Sequence, residues 1–150
     1  MSSKQVVELR EVTAETVRTI CSLEVTDMQK NFVAPNAISI SQAYFEPNAW
    51  FRAIYADETP VGFLMTFEDS QNGFYYLWRF MVAHEHQGKG YGRVALSQLI
   101  ERVQQQPKAT ELKLSVVPSN DQAIRFYEAA GFEFTGLVEH GENVYAKALI

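Results

Sequence analysis

The chain has 150 residues, 47% of them apolar and 21% charged, with ten Phe, seven Tyr and two Trp. That composition suits one folded domain with a sizeable core and excludes a disordered chain. The formal net charge of -5 lacks the basic excess of a non-specific nucleic-acid binder.

In chain order, Val6 to Val12 reads as a first strand. Thr13 stands where a helix N-cap belongs, with Val17, Ile20 and Leu23 following at helical spacing. Cys21 falls on the apolar face of that helix as a small core residue. Residues 24–30 and 39–45 read as two short helices joined by the turn Ala34-Pro35-Asn36. Trp50 to Ala56 and Val61 to Glu68 read as a hairpin around Asp57-Glu58-Thr59-Pro60. Phe74 to Val82 is apolar on both faces except at Arg79, the pattern of a central strand. Arg79 itself reads as a paired structural arginine.

A glycine-rich turn at 87–92 leads into a helix with Val94, Leu96, Leu99, Ile100 and Val103 inward, ending before Pro107. Glu111 to Val117 reads as a strand and Asn120 to Ala130 as a helix, with Gly131 placed to end it. Phe132 to Val138 and Asn143 to Leu149 close the chain as two strands around Gly141. The alternation predicts one mixed α/β domain over 1–150.

One cysteine allows no internal disulfide, and His84, His86 and His140 lack ligand spacing, so no metal is expected. The stretch MSSKQVVELREV has no signal-peptide core, and no run approaches the roughly 18 apolar residues of a membrane helix. A cytoplasmic protein with no membrane or nucleic-acid partner is expected.

Chemistry concentrates in Gln87-Gly88-Lys89-Gly90-Tyr91-Gly92-Arg93, between a buried strand and an amphipathic helix. Closely spaced glycines let backbone N–H groups turn outward, and a helix N-terminus favours anions. Lys89 and Arg93 add positive charge. The spacing is neither a P-loop nor a Rossmann fingerprint. Alone, the loop reads either as a phosphate site or as a glycine turn that binds nothing.

A second stretch, Asn120-Asp121-Gln122-Ala123-Ile124-Arg125-Phe126-Tyr127-Glu128-Ala129-Ala130-Gly131-Phe132, opens a helix after a strand. The pair Q-G-x-G-x-G and N-x-x-A-x-x-F-Y-x-x-x-G-F, spaced as here, resembles the GNAT superfamily of acetyl-CoA-dependent N-acetyltransferases. Phe80-Met81-Val82-Ala83 resembles the strand that enters that family's pyrophosphate loop. Overall, including Leu77-Trp78-Arg79-Phe80, the chain is most similar to the bacterial spermine/spermidine (polyamine and diamine) acetyltransferases. Gln87, where many members carry Arg, and His84, where Pro is frequent, depart from the pattern.

The resemblance implies a mostly antiparallel sheet of about seven strands and about four helices, splayed at the acetyl-CoA site. It implies that the backbone of Phe80, Met81 and Val82 pairs with the pantetheine arm. The N–H groups of Gln87, Gly88, Lys89, Gly90, Tyr91 and Gly92, with Arg93, would hold the pyrophosphate. Asn120 would bond the pantetheine, Ala123 and Phe126 would line the channel, and Tyr127 would sit at the thioester sulfur.

The expected reaction is direct acetyl transfer to an amine. A backbone N–H near Met81 or Val82 would stabilise the oxyanion, and Tyr127 would protonate the leaving thiolate. Glu24, Asp27, Glu46, Glu68 and Asp69 are candidates for accepting the amine's proton. Glu24 and Asp27 are favoured because they share a face of the expected helix. Trp78, Tyr44, Phe45 and Trp50 are candidate cation–π walls for a polycation, with core packing the competing role of Trp78.

The expected acceptor is spermine or spermidine. Another small amine or a protein amino group is the first alternative, and a non-catalytic acetyl-CoA-binding module the second. A homodimer is expected from family habit. The acidic excess suits this reading: residues 1–75 hold ten acids against five bases, while residues 76–150 hold eight of each. The acidic half falls on the expected acceptor side.

Overall fold

A computed structural model describes residues 5–150. The strands are β1 (Val7–Arg10), β2 (Ala49–Ala56), β3 (Thr59–Asp69), β4 (Phe74–Val82), β5 (Glu111–Val116), β6 (Glu133–Glu139) and β7 (Glu142–Ala148). The helices are α1 (Val17–Cys21), α2 (Asn36–Tyr44), α3 (Tyr91–Gln104) and α4 (Asp121–Ala129). The seven strands form one sheet in the order β1-β2-β3-β4-β5-β7-β6. Every neighbouring pair is antiparallel except β4 and β5. The mixed, mostly antiparallel architecture expected from the sequence is present. Among the described residues, no helix is long and apolar enough to cross a membrane.

The sheet is covered on both faces, which is why β3 and β4 read as nearly continuous apolar runs. Ile54, Leu64, Leu77, Leu96, Leu99 and Leu112 build the core under α3, with Ile124 and Phe126 of α4 packed against it. Ile20, Ala53, Phe63, Met65 and Met81 build a second core under α1 and α2.

Two features of β4 open the sheet. Arg79 pairs with Met65 and Leu77 with Thr66, so Trp78 is an extra residue without a partner on β3. Such a bulge bends its strand and sharpens the twist. The parallel β4/β5 pairing, in turn, is confined to Tyr76 and Lys113. Beyond that point the two strands separate.

Three expectations need correction. The first helix is five residues long and starts at Val17, not after Thr13. The Thr16 hydroxyl accepts the Thr13 N–H at 2.9 Å, a local turn that delays the helix by three residues. Residues 24–30 do not form a helix; a 3-10 turn spans Gln29–Asn31. Thr26 and Gln29 bond reciprocally, backbone N–H to side-chain oxygen, at 3.2 Å in both directions, so helical structure begins only there. The helix expected at 39–45 begins earlier, at Asn36, directly after Pro35. The buried Asn36 amide donates to the Ile20 carbonyl at 2.9 Å and ties α2 to α1.

Candidate active site

The split between β4 and β5 is the floor of a cleft of about 1160 Å³, walled by residues 29–35, the 86–93 loop and α4. Strand alternation sets which backbone groups face it. The Ala83 N–H donates to Val61 on β3 at 2.8 Å. Neighbouring residues point the other way, so the backbone groups of Val82 and Phe80 turn into the cleft. Consistently, the Val82 carbonyl accepts the Gln87 amide from the cleft side at 2.8 Å. Met81, expected beside them, directs its backbone toward Phe63 of β3 by the same alternation. Its side chain is buried in the second core and reaches the cleft wall.

The glycine loop is a ready anion cradle. Gly88 and Gly90 have φ of 78° and 84°, a conformation that L side chains rarely adopt. Among the described residues, the N–H groups from Gly88 through Arg93 donate to no protein acceptor. They converge at the start of α3, whose dipole favours negative charge. Arg93 lines the cleft, whereas Lys89 is exposed and does not. Lys89 thus offers charge near the loop rather than a wall. The Tyr91 ring is buried in the core and its hydroxyl donates to Gln5, so its N–H is its contribution to the loop.

Gln87 fixes this loop through its side chain. Its Nε2 also donates to Gln29 Oε1 at 2.8 Å, and Gln29 Nε2 in turn donates to Gln122 Oε1 on α4 at 3.0 Å. Three amides therefore link the Gln29–Asn31 turn, the loop and α4. Gln87→Ala is expected to raise KM for acetyl-CoA about 10- to 30-fold, from loss of two bonds worth about 1 kcal/mol each, with KM for the amine little changed. Initial-rate kinetics checks this.

On α4, Asn120 is the N-cap, its Oδ1 accepting the Ala123 N–H at 3.3 Å. Its oxygen is therefore engaged in the helix, leaving its Nδ2 to donate into the cleft. Ala123, Phe126 and Tyr127 line the cleft. Tyr127 meets Phe80, Phe126 and Phe132 edge-on, with ring centroids 6.4, 5.2 and 5.8 Å away. Among the described residues its hydroxyl has no protein partner. Burial in this aromatic nest pushes its pKa above the ordinary phenol value.

The acceptor-side residues mostly fall elsewhere. Glu24 and Asp27 are exposed and both pair with Lys30, at 2.6 and 3.3 Å. The hydrogen bond from Lys30 holds the Glu24 pKa below its ordinary value. Neither acid lines the cleft. Glu68 lies on the opposite face of the sheet, bonded to Arg102 at 3.0 Å, and Asp69 holds the Asn72 turn. Glu46 also lies outside the cleft. Trp50 is held between Arg52 and Arg102, 4.5 and 3.5 Å from its ring centroid. Tyr44 and Phe45 are 84% and 82% exposed at the end of α2.

Trp78 both packs on the second core and lines the cleft. Arg79 has no carboxylate partner among the described residues, contrary to the pairing expected. It donates to the Trp78 carbonyl at 3.1 Å and to Gln42 of α2 at 3.0 Å. Burial lowers its pKa. Among the cleft residues not singled out in the sequence are Tyr76, Ser115 and Glu142. The Tyr76 hydroxyl donates to Ser115 Oγ at 2.6 Å across the strand split. An apolar strand and a polar hairpin gave no reason to pair them; topology does.

The free N–H cradle at a helix start and the open backbone edge of β4 fit a ligand with a phosphate end and an extended amide-bearing arm. Residues 17–132 match the acetyltransferase (GNAT) family. The chain is 30% identical to a spermine/spermidine N(1)-acetyltransferase of Bacillus subtilis, covering 95% of this chain and 99% of that protein. A spermidine N-acetyltransferase from Vibrio cholerae, solved with CoA and spermine, shares the fold with a TM-score of 0.75 at 16% identity, over 95% of each chain. The Thermoplasma acidophilum PaiA N-acetyltransferase, solved with coenzyme A, does so with a TM-score of 0.70 at 19% identity, over 95% of this chain and 99% of that one. The chain belongs to the acetyltransferase (GNAT) family and is an N-acetyltransferase.

Proposed function

We propose that the protein uses acetyl-CoA to acetylate a primary amine of a polyamine such as spermine or spermidine. The observation that carries this reading is the 30% identity to a spermine/spermidine acetyltransferase along essentially the whole of both chains. The cleft walls agree with it. Phe32, Val33, Pro35 and Trp78 offer apolar surface to a methylene chain.

The residues divide the work as follows. Acetyl-CoA, when bound, supplies the activated acetyl thioester. The N–H groups of Gly88 to Arg93 hold its phosphates, with Arg93 adding charge. The inward backbone of Phe80 and Val82 aligns its arm, and the Val82 N–H is placed to stabilise negative charge developing on the carbonyl oxygen. Asn120 Nδ2 serves the same arm. Tyr127, kept protonated by its buried setting, donates to the leaving sulfur. Cytoplasmic location belongs to the same reading. So does a homodimer, for which β6, an edge strand exposed along its whole length with Phe134, Leu137 and Val138, offers a surface.

On this reading Glu24 and Asp27, which pair with Lys30 and do not line the cleft, take no part in acceptor binding. Glu24→Gln and Asp27→Asn are therefore expected to leave KM for spermidine within about twofold, the scale of a surface ion pair. Steady-state kinetics on both variants checks this. The reading itself is tested by a panel of amines with acetyl-CoA, followed by free thiol release. Spermine and spermidine should exceed butylamine at least tenfold in kcat/KM. Equal rates with butylamine would remove the polyamine assignment.

A further inference from the structure

We infer that Glu142 binds the positive charge of the acceptor and sets its specificity, an inference that rests on the amine acceptor proposed above. Strand registers bring the relevant side chains to one face. Tyr76 pairs with Lys113, and Ser115 with Val144. Ser115 is two residues beyond Lys113 and Glu142 two before Val144, so Tyr76, Ser115 and Glu142 share a face across β4, β5 and β7. The bulge turns Trp78 and Arg79 to that same face, under α2. All five residues line the cleft.

Charge then singles out one of them. Among the described residues lining the cleft, Lys30, Arg79, Arg93 and Arg125 are positive, and Glu142 is the one carboxylate. An ammonium entering this space has a single anionic partner among the described residues. Glu142 is also free to take it. Among the described residues its carboxylate makes no ion pair and no hydrogen bond, whereas Glu24, Asp27 and Glu68 are each held by a cation. Arg79 feels the negative charge of Glu142 but gives its hydrogen bonds to Gln42 and the Trp78 carbonyl. Tyr76 and Ser115 satisfy one another, and the Tyr76 ring forms an aromatic wall beside the carboxylate. Glu142 sits at the mouth of the tight β6–β7 hairpin, paired with Glu139, so its backbone is fixed while its side chain faces the acceptor.

The test measures Glu142→Gln and Glu142→Asp against the parent on spermidine and on butylamine, with coenzyme A affinity by calorimetry as a folding control. The expected result for Glu142→Gln is a fall of about 10- to 100-fold in kcat/KM for the better acceptor, the scale of a lost hydrogen bond to a charged group. It should appear mainly in KM for the amine, with coenzyme A affinity unchanged and partial recovery in Glu142→Asp. A Glu142→Gln enzyme within twofold of the parent on both amines overturns the inference, even where the parent prefers spermidine. A parent that does not prefer spermidine removes the polyamine assignment instead. Loss in Glu142→Gln then still supports Glu142 as the ammonium site.

Discussion

Replacing Tyr127 with phenylalanine is expected to lower kcat about 100-fold, the lower end of the range for a positioned general acid. The substitution deletes one oxygen. That hydroxyl has no protein partner among the described residues, and the ring contacts with Phe80, Phe126 and Phe132 survive. Stability and coenzyme A affinity should therefore stay as they are, which separates an acid from a merely packed tyrosine. The pH profile adds a second reading. Burial raises the phenol pKa, so the protonated form persists to higher pH than for a free tyrosine. A descending limb of kcat from this group should lie above about pH 10, the ordinary phenol value. Unchanged kcat in the Phe variant would assign proton delivery to another group.

Gly92→Val is expected to raise KM for acetyl-CoA at least about 30-fold, equivalent to about 2 kcal/mol within the usual cost of overpacking. Gly92 lies in the first turn of α3, and a Cβ there would approach Val82 Cγ2 at 3.3 Å, Phe126 at 3.5 Å and Phe80 at 3.6 Å. Those three side chains bound the cofactor side of the cleft. The two methyl groups of valine must either fill the channel or push α3 away from β4. Either result misaligns the N–H cradle, while KM for the amine depends on a different wall and should change little. Initial-rate kinetics with each substrate varied in turn distinguishes the two.

The central strand was legible to the residue. Phe74 to Val82 is apolar on both faces because helices cover both, and β4 has those limits. The α4 helix was equally clear, since Asn120 caps it and Gly131, at φ 97°, follows it. The bulge at Trp78 was not legible. Strict alternation would send Trp78 and Arg79 to opposite faces, and an extra residue in β4 sends both to the acceptor side.

Residues 24–30 misled for a related reason. Their spacing permits a helix, but the Thr26–Gln29 exchange gives the backbone a local alternative, and Glu24 and Asp27 then close on Lys30. The residues proposed for the cofactor are contiguous in two motifs and so stand out in the sequence. Those proposed for the acceptor, Tyr76, Ser115 and Glu142, come from three strands joined by a crossover and do not.

The charge asymmetry changes meaning accordingly. Five of the ten acids of residues 1–75 sit in surface pairs: Glu8 and Glu58 with Arg10, Glu11 with Arg52, and Glu24 and Asp27 with Lys30. The acidic excess does not line the cleft. The carboxylate that does, Glu142, comes from the half with no net charge. Overall negative charge can still draw a polycation toward the protein at low ionic strength. Inside the cleft, the proposed recognition of the acceptor's charge falls to Glu142, with the apolar walls left to its methylene chain.

The most direct measurement is an incubation of the purified chain with acetyl-CoA and spermidine, with thiol release and acetylated product quantified together by absorbance and mass spectrometry. The account predicts one acetylspermidine for each free thiol, with both abolished when acetyl-CoA is omitted. Absence of thiol release with every amine tried, or thiol release without any acetylated amine, would contradict it.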